Sequence, residues 1–314
     1  MKTISILIPC YNEQDSLPLL YKALASVMGD ERVIDKYAFE IMLVNDGSSD
    51  STLAVMRQLH KEDKRVNYLD LSRNFGKENA MMAGLDHVSG DCCVIMDADL
   101  QHPPQVIFQM IEKWEEGYED VYAKRNSRGK ESWLRRRLSL RFYKVLNKMS
   151  KVEMLQNVGD FRLLDRRCVE ALKSLRETER YTKGLFCWIG YKKADVSFDS
   201  ADRQAGQSSW SMWKLFKFAV DGIVSFTTAP LHLATWLGIV ISLFAFIYLI
   251  FVLVKTLLVG DPVAGFPTLL SVILFLGGVM LLCIGILGEY VARMFNETKR
   301  RPGYIVREKN GELV

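Results

Sequence analysis

The segment CCVIMDADLQHPP, residues 92–104, decides the fold, because an apolar run ends in acidic residues and two prolines follow. The uncharged run predicts a buried strand, and the prolines open the next helix. Asp97 and Asp99 then lie at the strand end, where carboxylates at positions i and i+2 can converge on one hard divalent cation. Gln101 adds a carbonyl oxygen. The alternative interpretation is a polar cap between strand and helix.

Strands and helices alternate around this segment over the first 125 residues. Short apolar runs predict further strands at residues 4–8, 40–44, 66–71 and 120–123. Amphipathic stretches predict helices at residues 15–28, 51–60, 77–88 and 104–116. This order predicts an α/β fold with a mostly parallel sheet that helices cover on both faces.

Polar segments follow three of the predicted strands, at the end of a parallel sheet where ligands bind. Asp46, in VNDGSSD, is placed to hydrogen-bond a nucleotide base or ribose, although Asp-Gly-Ser is also ordinary turn chemistry. Asp50 is interpreted as a helix cap. The loop after the first strand is interpreted as a wall for the base, with Pro9, Tyr11, Asn12 and Glu13. The chain has neither GxGxxG nor GxxxxGK[ST], so the dinucleotide-binding and P-loop motifs are excluded.

Charge nearly vanishes in the last third of the chain. Residues 222–254 and 262–288 contain no Asp, Glu, Lys or Arg, and about 20 apolar residues let a helix cross a bilayer. We therefore expect transmembrane helices at residues 231–253 and 266–287, with a pair of buried core helices as the alternative. An amphipathic, aromatic-rich stretch at residues 212–226 suits the bilayer interface.

The distribution of basic residues predicts the orientation of these helices. Six Lys and Arg residues follow the second span, whereas the connection between the spans has one Lys and one Asp. Both termini are therefore expected in the cytoplasm, and the first apolar run is too short for a signal peptide. The predicted division is a cytoplasmic α/β domain, an interfacial helix, a two-helix membrane anchor and a basic cytoplasmic tail, at residues 1–210, 211–228, 229–290 and 291–314.

Net charge and cysteine content argue against a nucleic-acid-binding protein and against a site built from cysteines. The net charge of +4 is mild, so it suits an anionic membrane surface and gives no support for nucleic-acid binding. The six cysteines include no CxxC pair, and Cys92 and Cys93 stand in an apolar run, which favours buried thiols over a disulfide or metal ligands. Three glycines in the second predicted span and a fourth directly after it favour close helix packing, which suits a homo-oligomer.

Six motifs occur in the order and spacing of a known family: IPCYNE, VNDGSSDST, LSRNFGKENAMMAGLDHVSGD, MDADLQHPP, NVGDFRL and LGEYVAR…ETKRRPGYIV. With them the chain resembles the family 2 glycosyltransferases, which have a GT-A fold. It resembles above all the bacterial polyprenyl-phosphate glycosyltransferases, especially bactoprenol glucosyltransferases. Dolichyl-phosphate mannose synthases and aminoarabinose-lipid transferases are more distantly similar. The resemblance runs over nearly the whole chain, including both predicted spans.

The resemblance implies a metal site and a donor site. Mg²⁺ or Mn²⁺ would be held by Asp97, Asp99 and Gln101. The nucleotide-sugar would be bound by residues at the predicted strand ends and by two cations: Pro9, Tyr11, Asn12, Glu13, Asp46, Lys77, Asp97, Ala98, Asp99 and Arg203.

The resemblance also implies acceptor and catalytic residues. Arg125, Arg135 and Ser139 match positions that grip the acceptor phosphate, and guanidinium groups suit phosphate oxygens. A solvated or headgroup-facing patch is the alternative for residues 135–137. Asp160 and Asp99 are the implied catalytic residues, and Asp160 matches a proposed catalytic base. Asp160 is alternatively a residue that orients the sugar or the acceptor, or a structural turn residue.

The implied function is metal-dependent transfer of a hexose, with glucose favoured, from a UDP-sugar to polyprenyl (undecaprenyl) phosphate, with inversion. The lipid-linked product would serve the modification of cell-envelope polysaccharide at the cytoplasmic face of a bacterial inner membrane. The alternatives are the same chemistry with UDP-N-acetylglucosamine or another sugar, and a non-catalytic membrane scaffold with a degenerate transferase domain. A processive polysaccharide synthase lacks support, because the chain has no QxxRW element.

Overall fold

The computed structural model describes residues 1–125, 155, 158–178, 180–199, 229–259 and 265–314. The chain divides into two compact units. The sheet unit comprises residues 1–219 and 301–314, and the two-helix unit comprises residues 220–300. The predicted interfacial helix at residues 211–228 lies outside the described residues.

The sheet unit confirms the predicted α/β fold. Its elements up to residue 198 are, in chain order, β1 (Lys2–Cys10), α1 (Ser16–Met28), β2 (Tyr37–Asn45), α2 (Thr52–Glu62), β3 (Val66–Leu71), α3 (Lys77–His87), β4 (Cys92–Ile95), α4 (Val106–Glu115), β5 (Asp120–Arg125), β6 (Val158–Asp165), α5 (Arg166–Ser174), α6 (Thr182–Trp188) and β7 (Lys193–Phe198). Two more strands, β8 (Val306–Lys309) and β9 (Glu312–Leu313), follow the two-helix unit. Within the described residues the sheet order is β7-β5-β6-β4-β1-β2-β3-β8-β9.

The central strands β4, β1, β2 and β3 pair in parallel, as the alternation of strands and helices predicts. Ile4 and Ile6 on one face of β1 and Leu7 on the other are fully buried, because helices cover both faces of the sheet. Helix α3 approaches β1 so closely that a Cβ at Gly84 would overlap the side chain of Leu7. The carboxyl ends of β1, β2 and β4 therefore lie along one edge of the sheet.

Strand β6 is a feature that the sequence analysis missed. It lies antiparallel between β4 and β5, so the sheet is mixed beyond its parallel centre. Its Arg162 is 2% exposed and pairs at 3.1 Å with Asp120 of β5, which is fully buried. Charged residues at buried positions interrupt the apolar pattern by which a strand is recognised in a sequence.

The two-helix unit contains α7 (Ala229–Val259) and α8 (Phe266–Thr298), which include both predicted spans. Their membrane-length windows have mean hydropathies of 1.9 and 2.0, and none of the described residues in these windows is buried. Leu258 and Leu281 are 78% and 71% exposed. Two buried core helices, the alternative interpretation, would not expose such side chains. The finding is compatible with a membrane-associated protein.

The segment predicted as a basic tail, residues 291–314, takes part in both units. Helix α8 continues through it to Thr298, with a pair between Glu289 and Arg293 at 3.3 Å. Residues 301–314 then join the sheet unit, where β8 pairs antiparallel with β3. Helix α8 therefore extends beyond the predicted span into charged sequence.

Candidate functional site

A cavity of about 840 Å³ opens at the carboxyl ends of the central strands. Most of the residues that the sequence analysis singled out line it: Pro9, Tyr11, Glu13, Asp46, Lys77, Asp97, Ala98, Asp99, Gln101, Arg125 and Asp160. Residues from the ends of β1, β2, β4 and β5 and from β6 thus meet in one place. Arg135, Ser139 and Arg203 lie outside the described residues.

Lys77, the first residue of α3, bridges two carboxylates in this cavity. Its Nζ lies 2.6 Å from Asp97 Oδ1 at the end of β4 and 2.6 Å from Asp160 Oδ2 on β6. Partial burial by itself would lower the pKa of Lys77, but the attraction of the two carboxylates outweighs it and raises that pKa above its ordinary value. Lys77 therefore places a positive charge between the carboxylates of Asp97 and Asp160.

Asp160 is buried, with only 8% of its surface exposed. One carboxylate oxygen accepts from Lys77, and Oδ1 has no hydrogen-bond partner within the described parts of the chain. Burial raises the pKa of Asp160, but the positive charges of Lys77 and Lys183 outweigh it and hold that pKa at about 2. The carboxylate is ionised at neutral pH, where it is a weak base and a strong hydrogen-bond acceptor.

The acidic end of β4 offers hard oxygen ligands. Asp99 Oδ1 accepts the backbone N–H of Gln101 at 3.1 Å, and Gln101 Oε1 accepts from Arg125 at 3.4 Å. No cluster of three or more His, Cys, Asp or Glu side chains that could hold a metal occurs among the described residues. Mg²⁺ is commonly bound by one or two carboxylates together with substrate phosphates. Asp97 and Asp99 therefore fit a metal that shares its ligands with a diphosphate.

Asp46, at the end of β2, is 3% exposed and holds a neighbouring loop in place. Its two oxygens accept the backbone N–H groups of Phe75, at 2.7 Å, and Gly76, at 3.0 Å. Burial raises its pKa, and these hydrogen bonds partly oppose the rise. The next residue, Gly47, has a φ of +63° and packs so closely that a Cβ would collide with the backbone of Arg73. The turn interpretation therefore has direct structural support, while the carboxylate also lines the cavity.

Asn12 does not line the cavity and instead connects two of the polar loops. Its N–H donates to Ser48 Oγ at 3.0 Å, and its Oδ1 accepts the N–H of Ser49 at 2.9 Å. Asp50 accepts the N–H of Thr52, the first residue of α2, at 3.0 Å, whereas the N-cap position of this helix is occupied by Ser51. The loops after β1 and β2 therefore hold each other.

The cavity residues that the sequence analysis missed include three ionisable ones, His102, Glu78 and Lys183. The His102 ring is buried, stacks on Phe161 at 4.9 Å, and has its Nε2 3.4 Å from Nη2 of Arg125. Burial lowers the pKa of His102, so the ring is neutral near pH 7, and Nε2 accepts because arginine only donates. The position of His102 beside the acidic pair was an available signal, whereas nothing in the local sequence distinguishes Glu78 or Lys183.

Sequence comparisons cover both units of the chain. The model of glycosyl transferase family 2 matches residues 5–173, and that of the GtrB C-terminal hairpin matches residues 229–294. A putative glycosyltransferase, CsbB, of Bacillus subtilis is 45% identical over 98% of this chain and 92% of the relative. A bactoprenol glucosyl transferase of Shigella phage SfV is 42% identical over 98% of this chain and 98% of the relative.

Among solved structures, S. aureus TarS 1-349 in complex with UDP-GlcNAc matches with a TM-score of 0.50 and 16% identity. The match covers 72% of this chain and 66% of that chain. At this level of identity the likeness shows the fold alone.

Proposed function

This chain belongs to glycosyl transferase family 2, and from that premise we propose that it transfers glucose from UDP-glucose to a polyprenyl phosphate. The phage relative, named a bactoprenol glucosyl transferase, supports this choice because it matches nearly the full chain. The observation that carries the proposal is the position of Lys77 between two carboxylates in the cavity. Its Nζ lies 2.6 Å from an oxygen of Asp97 and 2.6 Å from an oxygen of Asp160.

A nucleotide diphosphate suits this arrangement of charges. Asp97 and Asp99, with Gln101 beside them, would hold Mg²⁺ or Mn²⁺, which when bound would neutralise charge on the leaving diphosphate. Lys77 would supply a second positive charge to the diphosphate. The loops that contain Pro9, Tyr11 and Asp46 would enclose the nucleoside, with Arg203 near the diphosphate.

The transfer needs no proton to be removed from the acceptor. An oxygen of the lipid phosphate, already ionised at neutral pH, attacks the anomeric carbon as the bond from that carbon to the diphosphate breaks, and the configuration inverts. Asp160 is a poor base because its pKa is held at about 2. Its Oδ1, without a partner among the described residues, would instead accept a hydroxyl of the sugar and orient it.

Arg125 would bind the acceptor phosphate at the wall of the cavity. Its guanidinium group is held at 3.4 Å from both Gln101 Oε1 and His102 Nε2, so the group is oriented before any ligand arrives. Arginine presents several donors in a plane that matches phosphate oxygens. Arg135 and Ser139 would complete this part of the site.

Helices α7 and α8 would anchor the enzyme in a bacterial cytoplasmic membrane, with the sheet unit and both termini in the cytoplasm. The exposed apolar side chains of α7 and α8 support this proposal, as does the positive charge after α8. An interfacial segment at residues 211–228 would bring the site to the lipid acceptor, and the glycines of α8 would pack protomers into a homo-oligomer.

The test is incubation of the purified full chain with undecaprenyl phosphate, Mn²⁺ and UDP-glucose or UDP-N-acetylglucosamine, with the glycolipid identified by mass spectrometry. We expect glucosyl-phosphate lipid from UDP-glucose. Product from UDP-N-acetylglucosamine alone would overturn the assignment of glucose. No product from either donor, together with no binding of UDP, would favour the scaffold alternative.

A further inference from the structure

Strand β8 lies beside β3, and one of its side chains contacts the carboxyl end of β3. This end neighbours the end of β2, where one of the loops proposed to enclose the nucleoside begins. Arg307 Nε lies 3.0 Å from Asp70 Oδ2, and Arg307 also donates to the backbone oxygen of Leu71 at 3.3 Å. Asp70 is 1% exposed, and its other oxygen accepts from Asn45 Nδ2 at 2.7 Å. Asn45 is the residue before Asp46. A surface arginine is thus connected to the end of β2 through a single buried carboxylate.

The connection continues into the loops around the cavity. Asn45 Oδ1 accepts the backbone N–H of Ser48 at 3.2 Å, and Ser48 Oγ accepts the N–H of Asn12 at 3.0 Å. A planar amide has its oxygen on one side and its nitrogen on the other. Once Asp70 has taken the nitrogen of Asn45, the oxygen is left facing Ser48. The hydrogen bond from Asn45 to Asp70 therefore orients the amide of Asn45 so that its oxygen accepts from Ser48.

A second contact reaches the loop on the other side of Asp46. The backbone N–H of Ser72 donates to the oxygen of Ile305 at 2.9 Å, just before the segment whose N–H groups bind Asp46. Both loops that Asp46 joins are thus held from the same short segment, residues 305–307. This segment follows the two-helix unit and is far in sequence from every residue of the cavity.

We propose that Arg307 is a positioning residue for the donor site, acting through Asp70 and Asn45 on the loop at residues 46–49. The inference rests on the proposed function for the identity of the ligand, a nucleoside diphosphate. Without the guanidinium group, Asp70 would be a buried carboxylate whose remaining partner is an amide, and it would attract water or reorient. Asn45 would then lose the partner that fixes its amide, and the loop would become more mobile.

The neighbouring ion pair on β8 provides a matched control. Arg57 on α2 binds Glu308, with Nε and Oε1 3.1 Å apart, and Glu308 also accepts from Tyr68 at 2.5 Å. The side chains of Arg57 and Arg307 are 48% and 53% exposed, so the two arginines are similarly placed on the surface. Arg57→Gln therefore removes a comparable ion pair from the same strand, but on a side that does not lead to Asn45.

The experiment compares the wild-type full chain in detergent with Arg307→Gln, Arg307→Lys and Arg57→Gln. Hydrogen–deuterium exchange of peptides that cover residues 45–50 is measured first, and the Kd for UDP with Mn²⁺ is measured by calorimetry. In Arg307→Gln we expect exchange in this loop and the Kd for UDP each to rise about threefold to tenfold. Arg307→Lys should recover part of the loss, and Arg57→Gln should lower the thermal midpoint without changing either quantity.

Equal changes in Arg307→Gln and Arg57→Gln would show a general loss of stability and would overturn the proposal. Faster exchange in Arg307→Gln with an unchanged Kd for UDP would overturn the assignment of this loop to the donor. If the wild-type chain does not bind UDP, the proposed function fails, whereas the exchange comparison still decides whether Arg307 positions the loop.

Discussion

In the sheet unit, charged side chains such as Arg162 and Asp120 are buried in pairs, whereas in the two-helix unit apolar side chains such as Phe244 and Leu281 are exposed. A buried charge is tolerated only when a partner replaces water. An exposed apolar side chain is tolerated in numbers only where the surroundings are themselves apolar. Each unit therefore departs from the usual rule that charge is exposed and apolar surface is buried, and each does so for a different physical reason.

The largest effect on stability is expected from breaking the buried ion pair between Arg162 and Asp120. Asp120→Ala leaves Arg162 buried without its carboxylate, so we expect a loss of about 3–5 kcal/mol in the free energy of unfolding. Asp195→Ala is the control, because Asp195 is half-exposed and lies 3.7 Å from Lys124 on the surface. This control should cost less than about 1 kcal/mol. Thermal unfolding measures both, and equal shifts would contradict the importance of pairing in the interior.

Replacing Asp99 should affect turnover and leave stability nearly unchanged, which distinguishes a charge that acts on a ligand from the buried charges that stabilise the fold. Asp99→Ala removes one of the proposed metal ligands, so we expect a loss of about a hundredfold to a thousandfold in turnover. The rate of glycolipid formation is the measurement. Glu116→Ala, at an exposed ion pair with Lys113, should leave the rate unchanged. Retained turnover in Asp99→Ala would remove this residue from the metal site.

The same substitution should have different consequences at two similarly exposed leucines. Leu281→Arg, near the middle of α8, is expected to cost about 2.5–3.5 kcal/mol in membrane insertion. Leu19→Arg, on α1 of the sheet unit, should have no such effect, although Leu19 is 53% exposed and Leu281 is 71% exposed. The measurement is the fraction of each protein that remains in membranes after alkaline extraction. Equal fractions would contradict the membrane location of α8.

The smallest expected effect is a dependence of folding stability on pH, which arises from the ion pair between Lys77 and Asp160. Because the pKa of Asp160 in the folded chain, about 2, lies below its ordinary value, the carboxylate stabilises the fold above about pH 4. This contribution is lost as the pH falls through about 2. Asp160→Asn should therefore be less stable than wild type by about 1–2 kcal/mol at pH 6, with a smaller deficit at pH 3. Thermal unfolding at the two pH values tests this, and a constant deficit would contradict it.

Much of the fold was predictable because its central strands are mostly apolar and end in polar turns. The strands that escaped prediction carry charge where a sheet is usually apolar. Strand β6 contains the buried Arg162, and β8 reads VREK. Both of these strands pair with partners that are distant in sequence, and no local pattern records such a pairing.

The sequence predicted which strand ends form the candidate site, but it did not predict which side chains contact one another there. The position of Asp97 after an apolar run placed it at the edge of a parallel sheet. The contact between Lys77 and Asp160 joins residues 83 positions apart and depends on how β6 enters the sheet. Asn12 was expected to line the cavity, but its amide is used to hold the adjacent loop.

The pairing of β3 with β8 has a consequence for how the protein is made. Tyr68 and its partner Glu308 are 240 residues apart, so a ribosome that adds roughly 5–20 residues per second exposes the edge of β3 for roughly ten to fifty seconds before β8 exists. An open strand edge readily pairs with other chains. Newly synthesised chains therefore pass through an interval in which the two apolar helices have already emerged while the sheet is incomplete.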